Sequence, residues 1–372
     1  MKVRAAVLTA VDAPLHVTEV ELEPPHAGEV LVRLHASGVC HSDISTANGT
    51  IGSRLPAVLG HEGAGVVEAV GPGVGAVKPG DHVVLSWNPH CGVCEECVRG
   101  LTHLCTVAWA PMFEGGLLDG TSRLSWDGGA LYHYSMVSSF AERAVVPERS
   151  CVRIDQRIPL DVAALVGCAV TTGIGAMWNT AEVRPGDRVA VFGCGGVGLS
   201  AILGAAAVGA APIVAIDRRE DKLEVALALG ATDAVLWGAG AEETASAVTS
   251  ASKGGVDYAV DAVGRPDIML AAFLSTRRRG AAVAIGIPRQ DAVLTLPAIA
   301  IPRMERRVLG SIYGSARPER DFPLILDLFM RGRLSLDRLI SHRMPLDGIQ
   351  EAFDLVGEGA AVRAVLDLAA PS

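Results

Sequence analysis

The residues of this sequence whose types and spacing could do chemistry are cysteines and histidines concentrated in its first half. Four cysteines follow one another as Cys91-x2-Cys94-x2-Cys97-x7-Cys105. Four thiolates this close in sequence can close a tetrahedral shell around a structural zinc ion. An iron–sulfur cluster is the competing interpretation, but the last spacing is seven residues and no Cys-Pro pair follows, so the pattern favours zinc.

Two shorter motifs precede this lobe and contain candidate catalytic residues. The first is GVCHSD, which includes Cys40, and the second is GHEG, which includes His61 and Glu62. Cysteine and histidine are zinc ligands of different softness. Neither motif is decisive alone, because buried cysteines and core histidines are common. A third cysteine, Cys168, precedes an apolar segment of helical character.

The stretch from Asp187 to Asp217 predicts a nucleotide site built on a strand, a turn, a helix and a second strand. Arg188 to Phe192 is a short apolar run, and Gly193, Gly195 and Gly198 then complete G-x-G-x-x-G ahead of an Ala-rich segment. The glycines allow a tight turn, close approach of a pyrophosphate to the backbone, and packing of the helix on the strand. A phosphate would then lie at the positive N-terminus of the helix.

Asp217 ends the second predicted strand, Ile213 to Ile216, about 20 residues beyond the last glycine, where a carboxylate binds the ribose 2′-hydroxyl. Because a carboxylate repels a 2′-phosphate, the sequence favours NAD over NADP, although Arg218 and Arg219 follow directly. A glycine-rich turn without a ligand is the alternative.

The uncharged span from Val189 to Ile216 could also resemble a membrane helix, but its glycines and proline fit the alternation of strand and helix better.

These residues require more than one domain to position them. The chain of 372 residues is long for a single core, half of it is hydrophobic, and its net charge of −9 argues against a nucleic-acid partner. The N-terminus lacks a long apolar signal segment, so we expect a cytoplasmic protein with no membrane partner. Eight cysteines in such a protein favour metal ligands and buried thiols over disulfides.

The first part of the chain predicts a small, barrel-like β domain. Its predicted strands, separated by proline and glycine turns, are Lys2–Leu8, Val30–His35, Gly63–Val70, His82–Leu85 and Ala141–Val146. Thr106–Ser139 is predicted to be a long loop bearing aromatic residues. We interpret it as the roof of a substrate pocket or as a surface flap packed on the barrel.

Beyond Asp217, helices and strands alternate, which predicts a doubly wound parallel sheet. The predicted helices are Lys222–Leu229 and Glu242–Ser250, and the predicted strands are Ala234–Leu236, Asp257–Ala262, Ala281–Gly286 and Val308–Tyr313. From Gly314 onward the chain most simply returns to the first domain. We therefore predict a catalytic domain over residues 1–169, a cofactor domain over 170–312 and a catalytic return segment over 313–372.

Seven motifs, in order along essentially the whole chain, resemble those of the zinc-containing medium-chain alcohol dehydrogenases. They are GVCHSD, GHEGAGVV, the four-cysteine lobe, DGTSR, GCAVTTG, GCGGVGLS and VRAVLDL. DGTSR, Asp119–Arg123, is similar to the longer-looped branch, which includes dimeric animal and plant enzymes and some actinobacterial relatives. The resemblance implies an α/β fold in which a Rossmann domain is joined to a mainly β, GroES-like catalytic domain.

The resemblance implies two zinc ions per chain. A catalytic zinc would be bound by Cys40, His61 and Cys168, with a fourth position that Glu62 can approach during ligand exchange. A structural zinc would be bound by the four-cysteine lobe. The two cysteines outside these sets are then expected to be buried thiols; they are Cys151 and Cys194.

The resemblance also implies a proton relay for the oxidation of an alcohol. Ser42 would hydrogen-bond the alcohol and pass its proton to the cofactor ribose, while hydride moves to the nicotinamide. Asp43 would orient the imidazole of His61 through its other nitrogen. Many relatives complete the relay with a histidine three residues after this serine, where this chain has Ser45. The proton would therefore leave by Ser45 and water, or by another route.

Residues expected to contact NAD are the glycine-rich loop, the acid beyond it and positions that match the family elsewhere. They are His41, Thr172, Gly193, Gly195, Gly196, Val197, Gly198, Asp217, Arg218, Lys222, Val263, Ile285, Ile287 and Arg363. Two of them correspond to pyrophosphate-binding arginines of relatives. His41 replaces the first of these arginines and Arg363 matches the second.

Trp87 and Trp109 are the predicted substrate-pocket residues. Trp87, four residues before the lobe, matches a pocket-wall position and would narrow the channel beside the metal. This suits a primary alcohol or aldehyde, including benzylic and allylic ones. The glutathione-dependent formaldehyde branch is disfavoured, because Trp109 replaces its carboxylate-binding arginine.

The leading hypothesis is an NAD-dependent zinc alcohol dehydrogenase that releases its cofactor at each turnover. One alternative is a nicotinoprotein, which keeps NAD bound and uses an external electron acceptor. Another is a catalytically silent NADH-binding or thiol-redox sensor, which the complete set of zinc ligands and Ser42 disfavours. The segment Arg306–Ser315 resembles the strand that joins cofactor domains in relatives, which predicts a homodimer.

Overall fold

The computed structural model describes residues 1–369. Its strands are β1 (Lys2–Leu8), β2 (His16–Leu22), β3 (Glu29–Val39), β4 (Ala57–Val58), β5 (Glu62–Val70), β6 (His82–Leu85), β7 (Leu124–Trp126), β8 (Gly129–His133), β9 (Arg143–Pro147), β10 (Cys151–Ile154), β11 (Val189–Phe192), β12 (Ile213–Asp217), β13 (Asp233–Leu236), β14 (Val256–Asp261), β15 (Thr276–Ala284), β16 (Arg307–Gly310), β17 (His342–Pro345) and β18 (Ala364–Asp367). Its α-helices are α1 (His41–Ala47), α2 (Glu95–Val98), α3 (Thr106–Glu114), α4 (Leu160–Val166), α5 (Ala169–Gly175), α6 (Gly196–Ala207), α7 (Glu220–Ala228), α8 (Ala241–Ala251), α9 (Pro266–Ser275), α10 (Ala300–Met304), α11 (Pro318–Met330) and α12 (Ile349–Gly357).

The first of two compact units contains residues 1–168, 317–331 and the chain from residue 336 onward. It is mainly β, as predicted. Strands β1, β2, β7, β8 and β4 close into a small barrel, and a second sheet has the order β10-β6-β5-β3-β18-β17, with β9 paired to β3. Apolar side chains from β3, β5, β18 and α12 form a shared core that includes Leu34, Val67, Leu366 and Phe353. The return segment therefore completes the sheet that begins near the N-terminus.

The second unit contains residues 169–316 and 332–335. Its parallel sheet has the order β13-β12-β11-β14-β15-β16, which is the strand order of a doubly wound dinucleotide-binding fold. All residues of β11 are buried, because helices cover both faces of such a sheet. This burial explains the unbroken apolar run in the sequence. The predicted Rossmann domain is confirmed.

The uncharged span from Val189 to Ile216 folds as β11, α6 and β12, in agreement with the prediction of a strand, a helix and a second strand. No single helix within residues 1–369 is long and apolar enough to cross a membrane. The bent pair Leu160–Val166 and Ala169–Thr180 meets that criterion only jointly. The residues of α4 and α5 are mostly buried in the folded chain.

The segment Thr106–Ser139 is not a long loop, which corrects the sequence-based prediction. It contains α3 and the hairpin β7–β8, and β8 also pairs in parallel with β4 to close the barrel. The hairpin turn places Asp127 (φ 49°) and Gly128 (φ 73°) in the left-handed region, as a two-residue type I′ turn requires. The Asp-Gly pair was therefore a signal for a hairpin that the sequence analysis missed.

Other differences concern missed elements and element ends. Among the elements that were not predicted are β2, β4, β10, β17 and α9. Strand β16 ends at Gly310 instead of continuing to Tyr313. Tyr313, Gly314 and Ser315 all have positive φ (55°, 64° and 49°), a conformation that cannot continue a strand. The units divide after residues 168 and 316, where the sequence analysis placed boundaries after 169 and 312.

Candidate metal centres and nucleotide site

The four cysteines of the lobe converge on one point of the first unit. The ligand atoms of Cys91, Cys94, Cys97 and Cys105 all lie within 4.8 Å of one another. The backbone N–H of Cys94 donates to Sγ of Cys91 (3.2 Å), and that of Cys91 donates to Sγ of Cys105 (3.3 Å). Backbone hydrogen bonding with Cys97 lowers the pKa of the Cys94 thiol to about 5. Clustered thiols with N–H donors fit a tetrahedral zinc ion.

A second set of candidate ligands is assembled from segments far apart in sequence. Cys40 follows β3, His61 precedes β5 and Cys168 follows α4. Their ligand atoms and a carboxylate oxygen of Glu62 lie within 4.8 Å of one another, and all four side chains are buried. The pairing of Gly38 with Glu62 across β3 and β5 brings Cys40, His61 and Glu62 close together. The set matches the three predicted zinc ligands and the predicted acid beside them.

Asp43 orients the histidine of this set. It is fully buried, its Oδ1 contacts Nδ1 of His61 (3.1 Å) and accepts the N–H of Gly60 (3.2 Å), and its Oδ2 accepts the N–H of Cys40 (2.9 Å). With Nδ1 donating to Asp43, the lone pair of Nε2 is available to a metal. Burial disfavours the imidazolium, but Asp43 and Cys40 outweigh it and raise the pKa of His61 well above its ordinary value. Zinc binding at this set is therefore coupled to proton release.

Arg363 pairs with the acid of the same set. Its Nη2 donates to Oε1 of Glu62 and its Nη1 donates to the carbonyl of Val39 (3.0 Å), while the arginine side chain is almost fully buried. A side chain at Gly38 would overlap Oε2 of Glu62, so glycine there leaves room for the carboxylate. Burial raises the pKa of Glu62 to about 8, and the neighbouring Arg363 opposes that rise. The sequence analysis assigned Arg363 to pyrophosphate; in the structure its guanidinium contacts Glu62.

A group of hydroxyls lies beside this set, and the sequence analysis found only one of them. The Oγ of Ser42 is 3.7 Å from Sγ of Cys40. Thr46 Oγ1 donates to the carbonyl of Ser42 (3.0 Å) and also lies 3.0 Å from the hydroxyl of Tyr134. The ring of Tyr134 stands edge-on to that of His61, with centroids 5.7 Å apart. Tyr134 is 88 residues beyond Thr46, so no local spacing reveals the contact.

The glycine-rich loop has the geometry of a phosphate site. Gly193 has φ 94° at the end of β11, and α6 starts at Gly196 with Gly195 as its N-cap. A Cβ on Gly198 would overlap the carbonyl oxygen of Gly193, so the turn and the start of the helix need glycine at both positions. The first N–H groups of α6, among them that of Val197, point away from the helix and can bind an anion.

The carboxylate of Asp217 stands beside this loop. Its Oδ2 accepts the N–H of Cys194 (2.7 Å) and its Oδ1 accepts the N–H of Arg219 (3.1 Å). Arg218 is exposed and Lys222 is half-buried. The carboxylate is thus held in place at the end of β12, next to the turn that would bind the pyrophosphate.

Three other predicted cofactor residues of the second unit lie just beyond the carboxyl ends of its strands: Val263 follows β14, and Ile285 and Ile287 follow β15. The carboxylate of Asp261, at the end of β14, accepts the N–H of Val263 (2.8 Å), and its carbonyl accepts that of Ile285 (3.0 Å). Ile287 is exposed in the segment after β15, and Thr172 is buried within α5. The carboxyl edge of a doubly wound sheet is where such folds bind ligands. His41 is exposed at the first position of α1 in the other unit.

The two predicted pocket tryptophans have different surroundings. Trp87 is partly buried and packs against both core clusters of the first unit. Trp109 lies on α3, is 47% exposed and packs edge-on against Phe113, with ring centroids 5.2 Å apart. Trp87 is therefore part of the packing before the lobe, and Trp109 offers an exposed aromatic surface.

The cysteines outside the two ligand sets are buried thiols, as predicted. Cys151 belongs to the core of the first unit. Cys194 lies in the nucleotide turn, and burial raises its pKa to about 12. None of the cysteines forms a disulfide within the described residues.

Comparison with known proteins agrees with this geometry. Residues 26–156 match the family model described as alcohol dehydrogenase GroES-like domain, and residues 196–331 match that described as zinc-binding dehydrogenase. The chain is 41% identical to the alcohol dehydrogenase class-3 of Myxine glutinosa (98% of this chain, 97% of that protein). It is 40% identical to an S-(hydroxymethyl)glutathione dehydrogenase of Escherichia coli (98% and 100%).

Among solved structures, the benzyl alcohol dehydrogenase from Acinetobacter calcoaceticus superimposes with a TM-score of 0.94 at 30% identity, covering 99% of this chain and 100% of that one. An alcohol dehydrogenase zinc-binding domain protein from Burkholderia ambifaria gives 0.95 at 34% identity, with full coverage of both chains. The fold and the two ligand sets thus define a zinc-dependent oxidoreductase with a nicotinamide cofactor. The chain belongs to the zinc-containing medium-chain alcohol dehydrogenase family.

Proposed function

We propose that the protein oxidises primary alcohols, including benzylic and allylic ones, to aldehydes with NAD, and catalyses the reverse reduction. The observation that carries the proposal is the buried set of Cys40, His61 and Cys168 with the hydroxyl of Ser42 beside it. An alcohol must lose its O–H proton before its carbon releases hydride. Zinc, when bound by these three residues, supplies the Lewis acidity that lowers the pKa of such a hydroxyl. Nicotinamide supplies the hydride acceptor.

The residues around the set have separate tasks in this proposal. Ser42 accepts the alcohol proton at Oγ, and the proton leaves by water together with Ser45, which is half-buried three residues later on the same short helix, or by another route. Asp43 holds His61 in the tautomer whose Nε2 is a metal ligand. Arg363 holds the carboxylate of Glu62 within reach of the ligand set.

The preference for NAD over NADP rests on Asp217. Its carboxylate is held by two backbone N–H groups beside the glycine-rich loop. A 2′-phosphate on the ribose would meet this negative charge, whereas a 2′-hydroxyl can donate a hydrogen bond to it. The guanidinium of Arg219 pairs with Asp221 (2.8 Å), an exposed ion pair that a phosphate would have to compete with.

Two groups of relatives point to different substrates. The structural likeness to a benzyl alcohol dehydrogenase, at 30% identity, supports a benzylic alcohol. The relatives named S-(hydroxymethyl)glutathione dehydrogenase make the formaldehyde adduct of glutathione the second candidate. The exposed Trp109 lacks the positive charge that would bind a glutathione carboxylate, which favours the first candidate.

A homodimer joined through β16 is part of the proposal. This strand forms one edge of the sheet of the second unit, and its Val308 is 44% exposed. An exposed, apolar sheet edge favours pairing with another strand. A cytoplasmic location is also proposed, because the eight cysteines are free, six of them in the two ligand sets, and free thiols favour a reducing compartment.

The test is NADH formation by the purified, zinc-replete protein with a panel of aliphatic, benzylic and allylic alcohols and with glutathione plus formaldehyde. We expect turnover with primary alcohols that Cys40→Ala abolishes. Cys151→Ala, which removes a buried thiol outside both ligand sets, is the matched control and keeps its activity. Preference for the glutathione adduct would select the second substrate.

Cofactor release separates the proposal from the nicotinoprotein alternative. If NAD exchanges freely, desalting removes it and added NAD restores turnover. Cofactor retained through desalting, with dye reduction but no turnover of added NAD, would instead establish the nicotinoprotein. If no alcohol led to reduction of NAD or of the dye, the proposal of an alcohol dehydrogenase would be contradicted. The catalytically silent sensor would then be the remaining hypothesis.

A further inference from the structure

The DGTSR segment ends in an arginine that is buried among acids. Arg123 is 1% exposed; its Nε and Nη2 donate to the carboxylate of Glu29 (2.9 and 2.7 Å), and Nη2 also donates to Asp119 (2.5 Å). His26, Glu29 and Asp119 could by distance bind a cation. Glu29 and Asp119 both accept hydrogen bonds from the guanidinium, so the cluster holds Arg123 in place.

The backbone of Arg123 continues this structure toward the metal ligands. Its N–H donates to Nε2 of the buried His133 (3.2 Å). Since Nε2 accepts, the neutral ring carries its proton on Nδ1, which lies 3.3 Å from Oγ of Ser138. The same oxygen accepts the backbone N–H of Tyr134 (3.0 Å). The position of Tyr134 is therefore set by the DGTSR segment.

Tyr134 in turn contacts α1 and a metal ligand. Its hydroxyl lies 3.0 Å from Oγ1 of Thr46 and 3.4 Å from the carbonyl of Ser42, and its ring edge packs against His61. Helix α1 has only seven residues, which is too short to be stable without tertiary contacts. A contact at its first and last turns determines where the Ser42 hydroxyl stands.

We propose that Tyr134 is a positioning residue for the relay, held by the buried chain of Arg123, His133 and Ser138, and that this is the task of the DGTSR segment. The inference rests on the proposed function of Ser42. Proton transfer needs donor and acceptor within about 3 Å, so a small displacement of α1 slows it. Tyr134 acts through the peptide of Ser42 and the ring of His61, and needs no contact with the reacting atoms.

The test compares Tyr134→Phe and Thr46→Val with the matched control Tyr132→Phe. Each change removes one hydroxyl and keeps the shape of the side chain. Tyr132 lies two residues from Tyr134, and its ring faces the guanidinium of Arg54 (5.5 Å). The readouts are kcat, the KM for NAD, the solvent deuterium isotope effect, the pH profile and the bound zinc.

We expect kcat for alcohol oxidation to fall about tenfold in Tyr134→Phe and Thr46→Val, the loss that corresponds to one hydrogen bond. The KM for NAD and the zinc content stay unchanged. The solvent isotope effect rises, because proton transfer becomes slower than the other steps. The difference in kcat between wild type and variant shrinks at high pH, because solvent hydroxide then accepts the proton. Tyr132→Phe behaves as the wild type.

A purely structural role would lower thermal stability and leave the isotope effect unmoved, and that result would overturn the inference. Wild-type kcat in both Tyr134→Phe and Thr46→Val would do the same. If Tyr134→Phe loses zinc, Thr46→Val decides, since it leaves the aromatic ring on His61. A wild-type protein that oxidises no alcohol would overturn the proposed function itself, whereas active wild type with unaffected variants overturns this inference alone.

Discussion

His133 is predicted to make the protein lose stability in mild acid. Its imidazole is 1% exposed, and its Nε2 accepts the backbone N–H of Arg123 (3.2 Å). A proton on Nε2 would place two N–H groups against each other. Burial, with the charge of Arg123 adding to it and that of Asp119 opposing it, lowers the pKa of His133 to about 3.

The size of the effect follows from the difference between the folded and unfolded states. An unfolded histidine titrates near pH 6.5, so the shift of about 3.5 units corresponds to about 5 kcal/mol of unfolding free energy. Because the folded pKa is depressed, the unfolded state binds the proton first as the pH falls. The stabilisation is therefore complete above pH 6.5 and is lost progressively down to about pH 3.

The assay is urea unfolding of the zinc-replete wild type and of His133→Gln at pH 7, 6 and 5. The glutamine amide can accept from Arg123 and donate to Ser138, but it does not titrate. Contributions from the metal ligands are common to both proteins and cancel in the difference. We expect the wild type to lose its advantage over the variant by about 1 kcal/mol between pH 6 and pH 5. His16→Gln, at an exposed position of β2, controls for the loss of an imidazole.

Two results would refute this reasoning. A stability difference between wild type and His133→Gln that does not change with pH would show that His133 binds its proton equally well in both states. A difference that grows in acid would show that the folded state prefers the imidazolium. Either result would also contradict the assignment of a neutral His133 with its proton on Nδ1, on which the hydrogen bond from His133 to Ser138 depends.

Three further outcomes test other parts of the structure. Asp217→Ser should lower kcat/KM for NAD about tenfold and raise it for NADP, and an unchanged preference would contradict the role of the carboxylate. Cys97→Ala should reduce bound zinc, measured by atomic absorption, by one ion and lower the Tm while the other ion stays; loss of both ions would show that the sites are not independent. Val308→Lys on β16 should give a monomer in sedimentation velocity, and a persistent dimer would place the interface elsewhere.

Features set by neighbouring residues were predictable from the sequence. The glycine-rich loop and the four-cysteine lobe each lie in one short segment, so their spacing favours a dinucleotide for the first and zinc for the second. The doubly wound parallel sheet of the Rossmann domain followed from the alternation of apolar strands and helices, whereas its strand order is seen only in the structure. The hairpin of β7 and β8 is equally local, because the Asp127-Gly128 pair in the sequence is typical of a two-residue hairpin turn.

The catalytic set was not predictable from spacing. Cys40 and His61 stand in short motifs that core residues can also produce, and Cys168 lies more than a hundred residues further on. Only the resemblance to a known family joined them. Tyr134 shows the same limit more strongly, because a tyrosine in an aromatic-rich segment gives no sign of which helix its hydroxyl contacts.

The pairing of Glu62 with Arg363 depends on the register of the sheet, which the sequence analysis did not predict. In the sheet, β3 lies between β5 and β18, with Gly38 opposite Glu62 and Val39 opposite Ala364. This register brings an acid and an arginine from opposite ends of the chain to the same end of β3, directly before Cys40. Because side chains alternate between the faces of a sheet, a shift of one residue in either pairing would turn the acid or the arginine away from the site. The site therefore depends on the register of three strands, which no single segment of the sequence specifies.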